Sequence, residues 1–398
     1  MAHYRSQSGR ITNGLERGTS PPPSAKIGQM WYNTNTGVLY SYTNDGTSSF
    51  WLDVSSGGIG MSDSRNVDIV GDTDPHLETS TTGAGLAIGS IYYNREGDRY
   101  FVCTNTTTNG NQWAGRYAGY GGVETMYKSG SNFQKIHTFL KTGTLHMDKT
   151  TTCAILVVAG GGGGGGAFNT PGGGGGGAGG FLTFATQSVT AGYHTCLVGN
   201  GGHGGFTPDS GETNTFLPKN GTNSQFGSLT AAVGGGNGGQ YHQAKACGTG
   251  GSGGGGEYST NAGAAGTGGQ GNAGGNGIAS SNQVGGGGGG SAGAGSNASG
   301  NNGGAGGTGT ANAYRTGSNV TYAAGGGGGS GYTAGNGGAG GSSIAAINGG
   351  NHGNNCGGTG LPNTGHGGGG GSGRNGGTYG VSGGDGCSGI IVVKYQVA

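Results

Sequence analysis

Apolar residues fall in a few short runs, and their spacing is that of strands. Val38, Tyr40 and Tyr42 alternate with Leu39 and Ser41, while Phe50, Leu52 and Val54 alternate with Trp51 and Asp53. A period of two places one set on a buried face and the other in solvent. Asn33-Thr34-Asn35-Thr36-Gly37 and Asn44-Asp45-Gly46 separate the runs and tolerate the positive φ of tight turns. A three-stranded meander is therefore predicted over residues 28–55. The pattern returns some sixty residues later, where Ile88-Gly89-Ser90-Ile91-Tyr92-Tyr93-Asn94 echoes Ile27-Gly28-Gln29-Met30-Trp31-Tyr32-Asn33. Tyr40 answers to Tyr100, Thr43-Asn44 to Thr104-Asn105 and Trp51 to Trp113. A lone small sheet is marginal in water, so each unit is expected to lean on a neighbouring subunit.

Farther along, Ile155-Leu156-Val157-Val158 and Ile390-Ile391-Val392-Val393 read as fully buried strands. Phe181-Leu182-Thr183-Phe184, Cys196-Leu197-Val198 and Leu229-Thr230-Ala231-Ala232-Val233 supply more, and Lys135 to Met147 reads as a hairpin around Lys141-Thr142-Gly143. Between these runs lie glycine tracts at 160–166, 172–177, 253–256, 285–290, 325–329 and 367–371, too irregular for the every-third-residue glycine of collagen. An extended helix of three residues per turn has no internal hydrogen bonds, so its amides must pair with neighbouring segments. Without Cβ atoms such segments can pack flank to flank.

Composition divides the chain in two. Of 111 glycines in 398 residues, 21 lie in the first 150 and 90 in the rest. That share of glycine alone would signal disorder, but a disordered tract has no reason to be bounded by buried strands. The net charge is +1, and the second half holds nine charged residues. Nucleic-acid binding, which needs phosphate-neutralising Lys and Arg, is excluded as an expectation. No signal peptide pattern and no apolar run long enough to span a bilayer occurs, so membrane insertion is not expected. The six cysteines show no C-x-x-C pair and read mostly as buried small hydrophobes.

Two resemblances add to this. The string Ile27-Gly28-Gln29-Met30-Trp31-Tyr32-Asn33-Thr34-Asn35-Thr36-Gly37-Val38-Leu39-Tyr40, with Trp51 downstream, resembles repeats in structural proteins of marine and cyanobacterial phages. The segments Lys135-Ile136-His137-Thr138-Phe139, Ala154-Ile155-Leu156-Val157-Val158-Ala159-Gly160 and Ser388-Gly389-Ile390-Ile391-Val392-Val393-Lys394-Tyr395 resemble the glycine-rich domain of phage tail fibres. The likeness implies an all-β protein: small N-terminal meander repeats, then a β-sandwich with an inserted polyglycine-II helix bundle, in a fibrous oligomer, expected to be a homotrimer. The expected divisions are an arm or linker at 1–26, repeats at 27–60 and 61–122, and the glycine-rich part at 123–398.

The chemistry of catalysis is missing from the pattern. G-x-G-x-x-G matches and Gly250-Gly251-Ser252-Gly253-Gly254 lack the strand-to-helix context those motifs need. Paired carboxylates for glycosidase work are absent from plausible positions, and the nine histidines lack metal-ligand spacing. No enzyme activity, cofactor or metal is expected. What remains is a scatter of side chains at glycine-loop ends, where aromatics give amphipathic contact area at low entropic cost: Phe168, Tyr241, His242, Tyr258, Tyr314, Arg315, Tyr322, Tyr332, His366 and Tyr379, with Phe206 and Arg374 nearby in pattern. These are the candidate receptor-binding residues. The expected function is host-surface attachment by a virion fibre or fibre tip assembled in the host cytoplasm. Its partners would be other tail proteins at the N-terminal region and a host glycan or outer-membrane protein. The alternative is an architectural virion spacer with no receptor role.

Overall fold

The computed structural model describes residues 15–26, 29–35, 38–44, 49–53, 69–71, 74–76, 88, 90–94, 99–106, 111–115, 118–168, 171–207, 216–241, 245–258, 262–279, 282–331, 335–353, 355–373 and 380–397. Their elements are strands, irregular extended segments and two single-turn 3-10 helices at Gly341–Ser343 and Ala345–Ile347, so the protein is all-β. The main divide falls between Tyr117 and Ala118.

The first unit holds two four-stranded sheets of the same plan. β1 (Leu15–Gly18), β2 (Met30–Asn33), β3 (Val38–Asn44) and β4 (Ser49–Asp53) lie in that order, and so do β5 (Ile69–Gly71), β6 (Ile91–Asn94), β7 (Arg99–Asn105) and β8 (Gln112–Gly115). The meanders form as predicted, but each gains a strand parallel to its first. Residues 15–18 are therefore part of a sheet and not of an arm. Gly18 stands opposite Asn33 and Gly71 opposite Asn94, so the repeat reaches back to these short strands. A Cβ on Gly71 would run into the Tyr92 hydroxyl. The register also corrects one correspondence: Tyr40 faces Trp31 and Phe101 faces Tyr92, so Tyr40 answers to Phe101 and not to Tyr100. Trp31 stacks on Tyr40 at 5.0 Å and meets Trp51 edge-on at 5.8 Å; Tyr92 meets Phe101 and Trp113 at 6.3 and 5.7 Å. Aromatic cross-strand contacts are what these small sheets have in place of a deep core.

The second unit starts with β9 (Gly119–Tyr120), β10 (Val123–Ser129), β11 (Asn132–Phe139), β12 (Gly143–Met147), β13 (Thr151–Val158), β14 (Ala167–Phe168), β15 (Phe181–Val189), β16 (Gly192–Leu197) and β17 (Gln225–Phe226). It continues with β18 (Thr310–Asn312), β19 (Val320–Tyr322), β20 (Gly380–Val381) and β21 (Ile390–Val397). A five-stranded sheet runs β10-β11-β21-β13-β15 and a four-stranded one β17-β16-β12-β9. The two apolar runs meet directly: Ile155 pairs with Val393, Leu156 with Val392, Val157 with Ile391 and Val158 with Ile390. All eight side chains are buried, and each stabilises the fold by roughly 1.5–3 kcal/mol. This ladder joins the two ends of the glycine-rich segment.

Two expectations fail here. The stretch from Lys135 to Met147 is not a hairpin, because β11 pairs in the five-stranded sheet while β12 crosses to the other. Residues 229–233 form no strand; among them only Ala232 bridges, to Ser224. His137 on β11 and His146 on β12 therefore lie in different sheets.

The glycine segments pack with a three-residue period. Along 160–165, the amides of Gly160 and Gly163 donate to Thr222 and Lys219, those of Gly161 and Gly164 to Cys387 and Gly384, and those of Gly162 and Gly165 to Gly177 and Gly174. The carbonyls accept on the same period: Gly160 and Gly163 from Gly235 and Gly238, Gly161 and Gly164 from Gly202 and Gly205, Gly162 and Gly165 from Gly368 and Gly371. One segment thus has six neighbours, three antiparallel and three parallel. Residues 172–180 repeat the scheme with 283–289, 365–371 and 233–239 as acceptors. A backbone that turns a third of a circle per residue aims every third amide at the same neighbour, and so pairs every N–H and C=O of 160–165 and every N–H of 172–180. It also leaves no room for side chains: a Cβ on Gly162, Gly163 or Gly164 would collide with the carbonyl of Gly236, His203 or Gly369.

Candidate functional site

Glycine segments leave the sheets at Ala159, run out to Ala167–Phe168, and return along 172–180 to β15. This gives the unit a sheet end and a far end, and the ten candidate residues divide between them. Phe168, half-buried, lies at the far end, where Ala167–Phe168 pairs with Gly380–Val381. Tyr241 and Tyr258 are there too, since Gly239 sits level with Gly174 and Gly255 donates to Gly175. Seventeen residues apart in sequence, their rings meet edge-on at 5.3 Å, and Tyr241 is exposed. His242, Tyr332 and Tyr379 lie outside the described residues.

Tyr314, Arg315, Tyr322 and His366 sit at the sheet end. Tyr322 is fully buried in a core with Ile136, Leu156, Val158, Ile390 and Val392, against which Tyr314 also packs. Burial pushes the Tyr322 phenol upward, with Arg315 beside it acting in the opposite sense. The Tyr314 ring lies under the Lys394 ammonium, 4.6 Å from its centroid, and the Tyr127 hydroxyl donates to the Tyr314 carbonyl at 3.4 Å. His366 is buried, and its Nδ1 accepts from the Ala324 amide at 3.0 Å. Burial lowers its pKa to about 4, so the ring is neutral and carries its proton on Nε2. Tyr322 and His366 are thus withdrawn from the contact set. They tie the glycine segments to the sheets, a role that the spacing of aromatics between glycines does not distinguish from that of a tip.

Two clusters were not anticipated. On the outer face of the four-stranded sheet, Tyr120, His146 and Tyr193 stand in one cross-strand row. His146 stacks on Tyr120 at 4.9 Å and meets Tyr193 edge-on at 4.4 Å, while its Nδ1 lies 3.3 Å from Asp148. The second is a groove of about 640 Å³ lined by His203, Phe206, Phe216, Leu217, Lys219 and Asp385. His203 and Phe206 are three residues apart, as are Phe216 and Lys219. That spacing is the signal that finds the groove, once a threefold backbone is assumed.

The geometry agrees with a comparison of sequence families, in which the glycine-rich domain matches residues 138–396. The chain belongs to the glycine-rich domain family. The match covers some two thirds of the chain and spans the paired runs of β13 and β21 together with everything between them. No curated protein matches the chain. Among the described residues of the glycine-rich domain and the repeats, no group of three His, Cys, Asp or Glu side chains is placed to hold a metal, and no helix is long and apolar enough to cross a membrane. Four cysteines (Cys103, Cys153, Cys196 and Cys387) are buried, as small hydrophobes would be, whereas Cys356 is exposed. Burial pushes the Cys153 and Cys196 thiols up to about 12, which makes them inert.

Proposed function

We propose that the protein is a non-enzymatic adhesin of a phage tail fibre or fibre tip, and that its glycine-rich domain is a polyglycine-II bundle closed by a β-sandwich. The observation that carries this reading is the three-residue hydrogen-bond period combined with the placement of the exposed Tyr241, and of the half-buried Tyr258 and Phe168, at the end away from the sheets. A bundle whose backbone amides satisfy one another is stiff without a side-chain core, and a stiff frame lets loop ends meet a target with little ordering cost. In this reading Phe168, Tyr241 and Tyr258 serve the contact surface, together with His242, Tyr332 and Tyr379. The repeats of the first unit attach to other virion proteins, the assembly is a homotrimer, and the target is a glycan or outer-membrane protein of the host surface. The resemblance of residues 27–40 to repeats of phage structural proteins supports the virion setting.

The test is adsorption. Labelled full-length protein should bind a subset of marine and cyanobacterial cells and block phage uptake by them. The double variant Tyr241→Ala/Tyr258→Ala should lower cell binding at least tenfold while its melting temperature stays within about 2 °C of the parent, since both rings lie outside the core. Absence of cell binding by the intact protein would favour an architectural spacer.

A further inference from the structure

The groove lined by His203, Phe206, Phe216, Leu217, Lys219 and Asp385 is built on two antiparallel glycine-type segments at the rim of the bundle. Phe206 and Phe216 exchange both backbone hydrogen bonds, at 2.8 and 2.9 Å, and one level down the Lys219 amide donates to the His203 carbonyl at 3.0 Å. With a threefold backbone, residues three apart point the same way. The side chains of His203 and Phe206 on one segment therefore line up with those of Lys219 and Phe216 on the other, as two rungs: an aromatic rung toward the far end and a polar rung toward the sheets. Between His203 and Phe206 no side chain fits, because a Cβ on Gly204 or Gly205 would strike the Gly383 carbonyl or the Gln240 side-chain oxygen, whereas between Phe216 and Lys219 the Leu217 side chain joins the lining. Asp385 closes the polar end; its Oδ1 accepts the Gly204 amide at 2.7 Å and lies 3.9 Å from His203 Nδ1. Phe216 is 65% exposed, a large cost for a phenylalanine that has nothing to meet.

We infer that this groove is a binding site for a neutral saccharide. Lys219 can only donate hydrogen bonds, an ionised Asp385 can only accept them, and His203 can do either. A purely apolar ligand would make use of none of these three groups. A charged one would find a cation and an anion within the same short groove, offering no net opposite charge. A sugar ring matches the set: its C–H face lies on the exposed Phe216 ring, with Phe206 behind, while vicinal hydroxyls give and receive hydrogen bonds at the polar rung. The backbone beneath is fixed by the bundle, since Gly163 donates to Lys219, Gly205 to Gly164 and Gly383 to Gly205. Little ordering cost attaches to the protein side on binding.

This inference deepens the attachment reading but uses residues separate from Tyr241 and Tyr258, so the two can fail independently. Full-length protein is applied to an array of neutral glucose, galactose, mannose and N-acetylglucosamine oligomers, with uronic and sialylated oligomers as the acidic arm, and hits are titrated in solution. A neutral oligomer should bind. Phe216→Ala should weaken it at least tenfold, His203→Ala two- to fivefold, and Tyr241→Ala/Tyr258→Ala not at all. Phe216 and His203 are exposed, so both variants should fold, and their thermal melts check this. Binding confined to acidic oligomers, no binding on the array, or full affinity in Phe216→Ala would each overturn the assignment. Saccharide binding without cell attachment would sink the adhesin and leave this site standing.

Discussion

The repeats of the first unit and the glycine segments of the second solve the same problem by opposite means. In the repeats, strands of three to seven residues are held by rings packed across them, Trp31 on Tyr40 and Trp51 in one sheet, Tyr92 on Phe101 and Trp113 in the other. Ordering rests on side chains, and the backbone bonds follow. In the segments around 160–166 no side chain exists to pack, and the order comes from each backbone having six neighbours at hydrogen-bond distance. Glycine loses the most conformational freedom on folding, so no pair of such segments would hold alone. Many must form together, and the antiparallel pairing of β13 with β21 brings the ends of the tract into one place. The contrast teaches that a low-complexity composition can encode order when an apolar clasp supplies what the glycines lack.

The sharpest way to break the contrast is to put a side chain where the second unit has room for none. Gly164→Val places a Cβ against the Gly369 carbonyl and should destabilise the second unit by more than about 4 kcal/mol, at the extreme of single substitutions. Its mirror control is Gly268→Ala, at a turn where a Cβ meets open space. That change should leave the melting temperature unchanged or raise it by the few tenths to about 1 kcal/mol gained from a stiffer unfolded chain. Equal losses in the two variants would show that glycine serves flexibility here and not packing.

Next in size is the clasp. Leu156→Ala should cost about 2–5 kcal/mol. The three tryptophans, Trp31, Trp51 and Trp113, all lie in the first unit, so indole fluorescence follows the repeats alone. The variant should lower the unfolding temperature seen by far-ultraviolet dichroism and leave the fluorescence transition in place. If both transitions moved together, the two units would share one cooperative core.

A smaller effect separates the units by pH. Burial lowers the pKa of His137 and His366 to about 4, against an ordinary value of 6.5. His137 Nδ1 donates to the Gly121 carbonyl at 2.9 Å, which leaves Nε2 to accept from the Tyr395 hydroxyl at 3.0 Å. The unfolded chain takes up protons near pH 6.5 and the folded one only near pH 4. Stability of the second unit should therefore be flat above about pH 7, fall as pH drops through that window, and level off below it. The ceiling is about 3 kcal/mol per histidine, and His366→Gln should flatten part of the slope. A melting temperature independent of pH between 7 and 4 would contradict the buried neutral rings.

Much of this was legible in the residues. The alternation at 38–42 and 50–53 places strands where they occur, and the runs at 155–158 and 390–393 announce buried strands because two blocks of four consecutive aliphatics have no other economical place. Partners were less legible. A period of two identifies a strand without naming its neighbour, so 135–147 resembled a hairpin although β11 and β12 belong to different sheets. Leu15–Gly18 carries no sequence signal because its pairing is made by the backbone and its three side chains, on Leu15, Glu16 and Arg17, show no alternation of apolar and polar. Tyr322 and His366 looked like loop-end contacts for a related reason: a ring flanked by glycines reads the same whether the segment is entering the sheets or leaving them.

By itself, then, the order of residues determined that the chain has two kinds of region, that apolar runs bound the glycine tract, and that glycine must occupy the tract's interior, since local pattern and volume are properties of residues. Only the tertiary structure decided which segment neighbours which, which aromatics reach the far end, and that His203, Phe206, Phe216 and Lys219 share a groove with the distant Asp385. Those outcomes depend on hydrogen bonds between amides that are chemically alike along the whole tract, and identical donors and acceptors carry no address until the chain has been folded into register.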